Sequence, residues 1–334
     1  MRSFFSWSFC LVLLISGFSV EAQKPVLKFN ANKEFKVVQF TDLHLKYQDP
    51  ASGIAFERVN QVLDIEKPDL VVLTGDIIYS RPAVENLQSI LKVLSDRKQP
   101  FSIIFGNHDD EFEASREELF KVAEAYPYNL SEDKFPELSG VGNYILPVLT
   151  SDGKKEATVL YFFDSHAYNK IEGVGSYDYI KFDQIQWYLN ESTAYTKKNG
   201  GVPFPALAFF HIPVPEYSYA YTKEDAQVYG IHRERVCSSK LNSGLFTALK
   251  QAGDVMGTFC GHDHDNDYAV LCENILLAYG RYTGGNTVYN DLPNGARIIV
   301  LHEGSRTFDT WIRTKEGVEQ RVRYPESFTK KKEP

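Results

Sequence analysis

From Phe35 onward the chain repeats one pattern: a short apolar run rich in β-branched residues, a polar loop, then a stretch whose apolar positions recur with helical spacing. Short continuous or alternating apolar runs read as strands, and i, i+3, i+4, i+7 recurrences as helices. Strands are thus expected over 35–40, 69–74 and 101–105. Between them lie helices over 54–65, with Phe56, Val59, Val62 and Leu63 on one face, and 83–96, with Val84, Leu87, Ile90, Leu91 and Leu94. A third helix over 113–126 carries Ser115 and Glu118 at the spacing of a capping box. Further on, the pattern predicts strands over 144–149, 158–163 and 206–210, a helix over 182–195 and a short helix over 245–250. Strands over 255–260, 268–271, 275–279, 297–302 and 307–314 complete the reading. Strands alternating with helices are the grammar of an α/β fold. No long linker, repeat or low-complexity block interrupts them, so one domain over 23–320 is expected.

The two ends read differently. Residues 1–22 carry Arg2, an apolar run from Phe4 to Ile15 and small residues before Val20-Glu21-Ala22. That is the composition of a cleaved signal peptide, and the run falls short of the roughly 20 residues that span a bilayer. A secreted or periplasmic chain without a stable membrane anchor is the expectation, with residues 321–334 as a polar tail. Removing the leader takes Cys10 and leaves Cys237, Cys260 and Cys272. In an export compartment the expected arrangement is a Cys260–Cys272 disulfide with Cys237 free, three unpaired cysteines being the alternative. Composition adds exclusions: 43% hydrophobic and 24% charged residues fit neither a disordered chain nor a multi-span membrane protein. The 36 Lys+Arg against 44 Asp+Glu argue against a protein that coats nucleic acid, which needs a basic face.

Candidate chemistry sits where the apolar runs end. Asp42-Leu43-His44 follows the first strand, and residues two apart on extended chain face one side, so a carboxylate and an imidazole can meet one cation. Alone, such a pair is most simply an exposed Asp beside a loop His. Thr74-Gly75-Asp76 follows the second run: glycine lets the backbone come close, and a carboxylate has two oxygens with which to bridge. Gly106-Asn107-His108-Asp109 offers an amide, an imidazole and a carboxylate in succession. His211, itself an ordinary core histidine on its own, ends another run, and Gly261-His262-Asp263-His264 ends a fifth. Five strand ends carry these groups, and five of the eight histidines lie in them. The carboxyl ends of strands in an α/β sheet share one edge, where ligands bind. Two paired clusters suggest two cations.

This ordered set resembles the calcineurin-like metallophosphoesterases over about residues 35 to 302. Phe40-Thr-Asp-Leu-His44, Asn242-Ser-Gly-Leu-Phe246 and Phe259-Cys-Gly-His-Asp-His-Asp-Asn-Asp267 are similar to its small purple-acid-phosphatase-like branch. The resemblance implies a four-layer α-β-β-α sandwich of two mixed sheets flanked by helices, with a dinuclear metal centre. Carried over residue by residue, Asp42, His44, Asp76 and His264 would hold one metal, and Asp76, Asn107, His211 and His262 the other, Asp76 bridging. His108 would be the general acid or a transition-state hydrogen-bond donor, with Asn107 also touching phosphate. Two departures stand out. The Asp-Arg-Gly segment that orients the catalytic histidine in the serine/threonine branch is replaced by Gly75-Asp-Ile-Ile-Tyr79, so Asp109 or another group must take its role. Tyr79 falls where purple enzymes carry an iron-bound tyrosinate, yet this chain also has His44, which is taken as the ligand with Tyr79 beside it.

Imidazole, carboxylate and amide donors suit Fe, Zn, Mn or Co as two divalent ions. The implied activity is hydrolysis of phosphate esters by hydroxide activated between them, acting as a phosphomonoesterase on a phosphorylated small molecule or phosphoprotein. A phosphodiesterase acting on cyclic nucleotides, lipids or nucleotide derivatives is the alternative enzyme, and a catalytically silent metal-stabilised binding protein the non-enzymatic one. His166, His232, Arg233 and Arg281 are candidate substrate contacts, each more simply read as a solvated side chain.

Overall fold

The computed structural model describes residues 24–286 and 291–329, so the expected leader at 1–22 and the last residues of the expected tail lie outside it. Chain order is β1 (Glu34–Phe40), α1 (Gly53–Glu66), β2 (Leu70–Thr74), α2 (Ala83–Asp96), β3 (Phe101–Ile104) and α3 (Arg116–Glu124). Then follow β4 (Tyr144–Leu149), β5 (Glu156–Phe162), α4 (Phe182–Lys198), β6 (Ala206–Phe209), α5 (Glu216–Tyr221), β7 (Val228–Tyr229), α6 (Leu245–Ala252) and β8 (Val255–Cys260). The chain closes with β9 (Ala269–Cys272), β10 (Ile275–Tyr279), β11 (Gly295–His302), β12 (Phe308–Thr314) and β13 (Val318–Tyr324). The helix expected over 113–126 starts after Ser115, whose hydroxyl accepts from Glu118 N while the Glu118 carboxylate accepts from Ser115 N, the capping box in place.

These strands form two mixed sheets, ordered β13-β12-β11-β1-β2-β3 and β4-β5-β6-β8-β10-β9-β7. In the first, β1, β2 and β3 run parallel; in the second, β5, β6, β8 and β10 do. Alternation along the strands shows what each face buries. Leu160, Phe162, Leu207, Phe209, Leu276 and Ala278 join the first sheet and α1–α3 in one core. Their neighbours Val159, Tyr161, Phe163, Ala206, Ala208, Ile275, Leu277 and Tyr279 pack with α4, α5 and α6 in a second. The layering is therefore the helix–sheet–sheet–helix sandwich. Buried polar side chains fix how the sheets meet. Gln39 on β1 donates to Thr74 Oγ1 on β2 and to Cys260 O on β8, 2.9 Å each. Arg297 on β11 donates to Tyr279 O on β10 and to Asp267 O.

Two expectations need correction. The boundary at 321 cuts through β13, which pairs antiparallel with β12, and Phe328 beyond it is buried. In this edge strand only Val322 and Tyr324 are buried, so its sequence reads as polar. The sequence pattern predicts neither α5 nor β7, which at 6 and 2 residues are too short to show a period. The Cys260–Cys272 disulfide is absent: all three of Cys237, Cys260 and Cys272 are free. Strand β10 lies between β8 and β9, and Cys260 is level with Tyr279 at one end of it, Cys272 with Ile275 at the other. Two strand spacings, roughly 9–10 Å, already exceed the reach of a disulfide.

Candidate metal centre

The loops after β1, β2 and β3 deliver Asp42 and His44, Asp76, and Asn107 and His108 from the first sheet; those after β6 and β8 deliver His211, His262 and His264 from the second. The first two loops run side by side, Asp42 N donating to Gly75 O at 3.1 Å and His44 N to Asp76 O at 3.0 Å. Asp42, His44, Asp76 and His262 have φ of 52°, 44°, 48° and 81°. This left-handed conformation is strained for residues other than glycine, and such strain gathers at functional sites. Two glycines are required by space. A Cβ on Gly75, whose φ is 89°, would lie 2.6 Å from both Gly106 N and His211 Nδ1, and one on Gly106 would overlap the Asp76 carboxylate and backbone.

Asp42, His44, Asp76 and His264 each place a donor atom within 4.8 Å of the others, and Asp76, His211 and His262 do the same. Asp76 is common to both sets. Its Oδ2 lies 3.2 Å from Nε2 of both His44 and His211, while His264 Nε2 lies 3.4 Å from Asp42 Oδ1. Asn107 Oδ1 and both ring nitrogens of His262 are buried without a hydrogen-bond partner, and His211 Nε2 faces only the Asp76 carboxylate. Buried polar atoms are rarely left unsatisfied. These orphans are the donors expected to join Asp76 around the second cation, so the residues fit a pair of metal ions.

Protonation follows from the same packing. Burial works against the charge on His211, but the Asp76 carboxylate outweighs it and the ring is held up at about 9. Its Nδ1 faces Thr74 O at 2.7 Å, so Nδ1–H donates there and the Nε2 proton is the one a cation must displace. Burial and then the charge on His211 push His262 down to about 3, leaving it neutral and ready to ligate. Burial would raise Asp42, yet the His264 hydrogen bond and charge bring it to about 2. Below about pH 9 the metal-free protein thus binds a proton that the loaded form has lost. Saturating the site with Zn²⁺ at pH 7.5 should release at least about one proton per chain, the His211 contribution fading above about pH 10. Calorimetry in buffers of differing ionisation enthalpy measures this, and no release at pH 7.5 would contradict the assignment.

The structure reassigns the residues around this centre. His108 projects from the same loop as Asn107, its side chain 26% exposed, whereas every ligand except the half-buried His262 is buried. The carboxylate that holds it is Glu111, whose Oε2 lies 2.8 Å from His108 Nδ1. Asp109 does not take that role. It is buried, with Oδ1 accepting from Ile77 N and Ile78 N and Oδ2 from Gly106 N at 2.7–3.0 Å. It thereby braces the Asp76 loop, and burial followed by the nearby Asp76 charge raises it to about 7. Arg116, the first residue of α3, donates to Gly106 O and to Asp164 Oδ1, tying the His108 loop to the second sheet. Tyr79 packs edge-on against His44 and His108, ring centroids 5.2 and 4.8 Å away, with His44 occupying the donor cluster.

Of the candidate substrate contacts, Arg281 is overturned: it is fully buried, with its guanidinium donating to Asp267, Glu319 and Pro293 O. The face of His232 is covered by Tyr221, stacked at 3.8 Å. His166 is bound through Nε2 to Gln184 Oε1 at 2.9 Å. Arg233 is exposed, its backbone N bound to Asp265 O.

Two mixed sheets flanked by helices, with Asp, His and Asn donors gathered at five strand ends around one shared carboxylate, define a metal-dependent hydrolase of phosphoester bonds. Comparison with known proteins agrees. Residues 35–266 match the family described as calcineurin-like phosphoesterase, and the chain belongs to that family. It is 32% identical over 299 residues to the Arabidopsis thaliana protein named probable inactive purple acid phosphatase 29, spanning 80% of this chain and 76% of that one. It is 34% identical over 316 residues to phosphatase DCR2 of Saccharomyces cerevisiae, spanning 84% of this chain and 54% of the yeast protein. Among solved structures, a dimetal phosphatase from Danio rerio aligns with a TM-score of 0.59 at 13% identity, over 86% of this chain and 98% of that one, a likeness of fold.

Proposed function

We propose that the protein is a secreted phosphomonoesterase using two divalent cations of the Fe, Zn, Mn or Co type on a phosphorylated small molecule or phosphoprotein. The observation that carries this reading is the Asp76 carboxylate shared by two donor sets, with Asn107 Oδ1 and the His262 nitrogens buried and left unpartnered. Two cations held there would neutralise phosphate charge and acidify a water molecule. The chain's own residues supply the rest. Glu111 accepts from His108 Nδ1, which leaves the other ring nitrogen of this part-exposed side chain to protonate a departing oxygen. Tyr79 and His44 wall the ring on one side and limit its rotation.

The monoester preference is supported by the name of the yeast relative, and export by the composition of residues 1–22; no helix among the described residues is long and apolar enough to cross a membrane. The plant relatives are named probable inactive, which supports a metal-stabilised binding protein as second reading. Against it stands His108, half-buried and held by Glu111 in a way that metal binding alone does not require. Purified protein should contain two metals per chain and hydrolyse nitrophenyl phosphate faster than bis-nitrophenyl phosphate. The reverse ratio would establish the diesterase, and hydrolysis of neither by two-metal protein would establish the scaffold.

A further inference from the structure

The segment between β5 and α4 reaches back over the metal centre through two tyrosines. Tyr168 and Tyr177 form an isolated antiparallel bridge, and their rings stack 5.7 Å apart. Tyr177 meets the ring of His262 edge-on at 4.2 Å. The Tyr168 hydroxyl lies 2.8 Å from Glu111 Oε1 and 3.3 Å from Asn107 Nδ2. Glu111 uses its other oxygen on His108.

Donor counting fixes the direction of each bond. A carboxylate only accepts, so the single phenolic proton goes to Glu111, and the Tyr168 oxygen is left to accept. Asn107 must then turn its NH₂ toward Tyr168 and its carbonyl oxygen away, and that oxygen is the buried, unpartnered atom of the second donor set. The flipped amide would offer an NH₂ group, which has no lone pair for a cation, and would place its carbonyl oxygen against the acceptor side of Tyr168.

We propose that Tyr168 is a positioning residue for the centre: its one hydroxyl aims the Asn107 amide at the second cation and steadies Glu111 against His108. The half concerning His108 rests on the phosphoesterase reading; the half concerning Asn107 needs only the metal site. A tyrosine present for packing alone would be replaced without loss by phenylalanine, since Tyr168→Phe keeps the ring on Tyr177.

The test is titration of metal-free Tyr168→Phe and wild-type chains with Zn²⁺ against a chromophoric chelator, which resolves the two sites without reading activity. Loss of a partner that orients a ligand typically weakens metal binding by about 10–100-fold. One site should weaken by about tenfold or more while the other is unchanged, with the melting temperature of the metal-free protein preserved. On loaded protein, kcat for phenyl phosphate should fall more than kcat for nitrophenyl phosphate, KM staying within about twofold, because steadying of the acid matters most for the poorer leaving group. Wild-type affinity at both sites overturns the proposal, whether or not the melting temperature falls. If the wild-type protein hydrolyses no ester, the proposed activity fails while the titration still decides the role of Tyr168.

Discussion

Replacing Asp76 with asparagine strips both cations from the protein together. Its carboxylate is the one group common to the two donor sets, and it stands 3.2 Å from an imidazole nitrogen of each. Opposed by burial, the charge and hydrogen bond of His211 still hold Asp76 well below the usual carboxylate range, so it is ionised throughout the neutral region. An amide brings no charge and only one oxygen, and the two half-sites then lose their shared ligand at once. The loss should exceed the roughly 10–100-fold that removal of an outer partner causes. Elemental analysis should find Asp76→Asn nearly metal-free and inactive. Asp42→Asn, by contrast, touches one set and should retain about one metal per chain. Full metal content in the Asp76 variant would refute the bridging role.

His108→Ala should do the opposite, keeping both metals and losing turnover. The ring belongs to neither donor set, and its backbone N, which donates to Asp76 Oδ1 at 2.9 Å, survives the substitution. General acid assistance is typically worth about 10²- to 10⁴-fold, so kcat should fall by that order on phenyl phosphate. Nitrophenolate leaves with little need of a proton, and the loss there should be much smaller. Equal losses on both esters, or loss of metal, would show that His108 acts through structure instead.

The donor atoms were legible because chemistry leaves few other reasons for Asp-x-His, Gly-Asn-His and His-x-His to end apolar runs. Those runs were legible because central strands are buried on both faces. Glu111 was not. It stands in the acidic stretch Asp109-Asp110-Glu111-Phe-Glu113, where each carboxylate has the look of a solvated loop residue, and only its i, i+3 spacing from His108 hinted at pairing. Asp109 drew the role by adjacency, but its side chain turns inward to three backbone amides. Arg281 stood as a candidate substrate contact because its partner Asp267 lies across a strand pair, beyond what local sequence shows. Tyr168 lies 57 residues from Glu111, and no periodicity links them. The disulfide expectation failed for a related reason: proximity along the chain conceals an interposed strand.

The two sheets contribute unequally but jointly to the centre: three ligands of the first set come from one sheet and the fourth, His264, from the other, while the second set pairs Asp76 with His211 and His262. Each ion would therefore act as a rivet through the seam between the halves of the sandwich. A ligand that binds only the folded chain adds about 2.7 kcal/mol at a free concentration 100 times its Kd. Withdrawal of metal should loosen that seam first at the rim, leaving the apolar interior to hold the halves together.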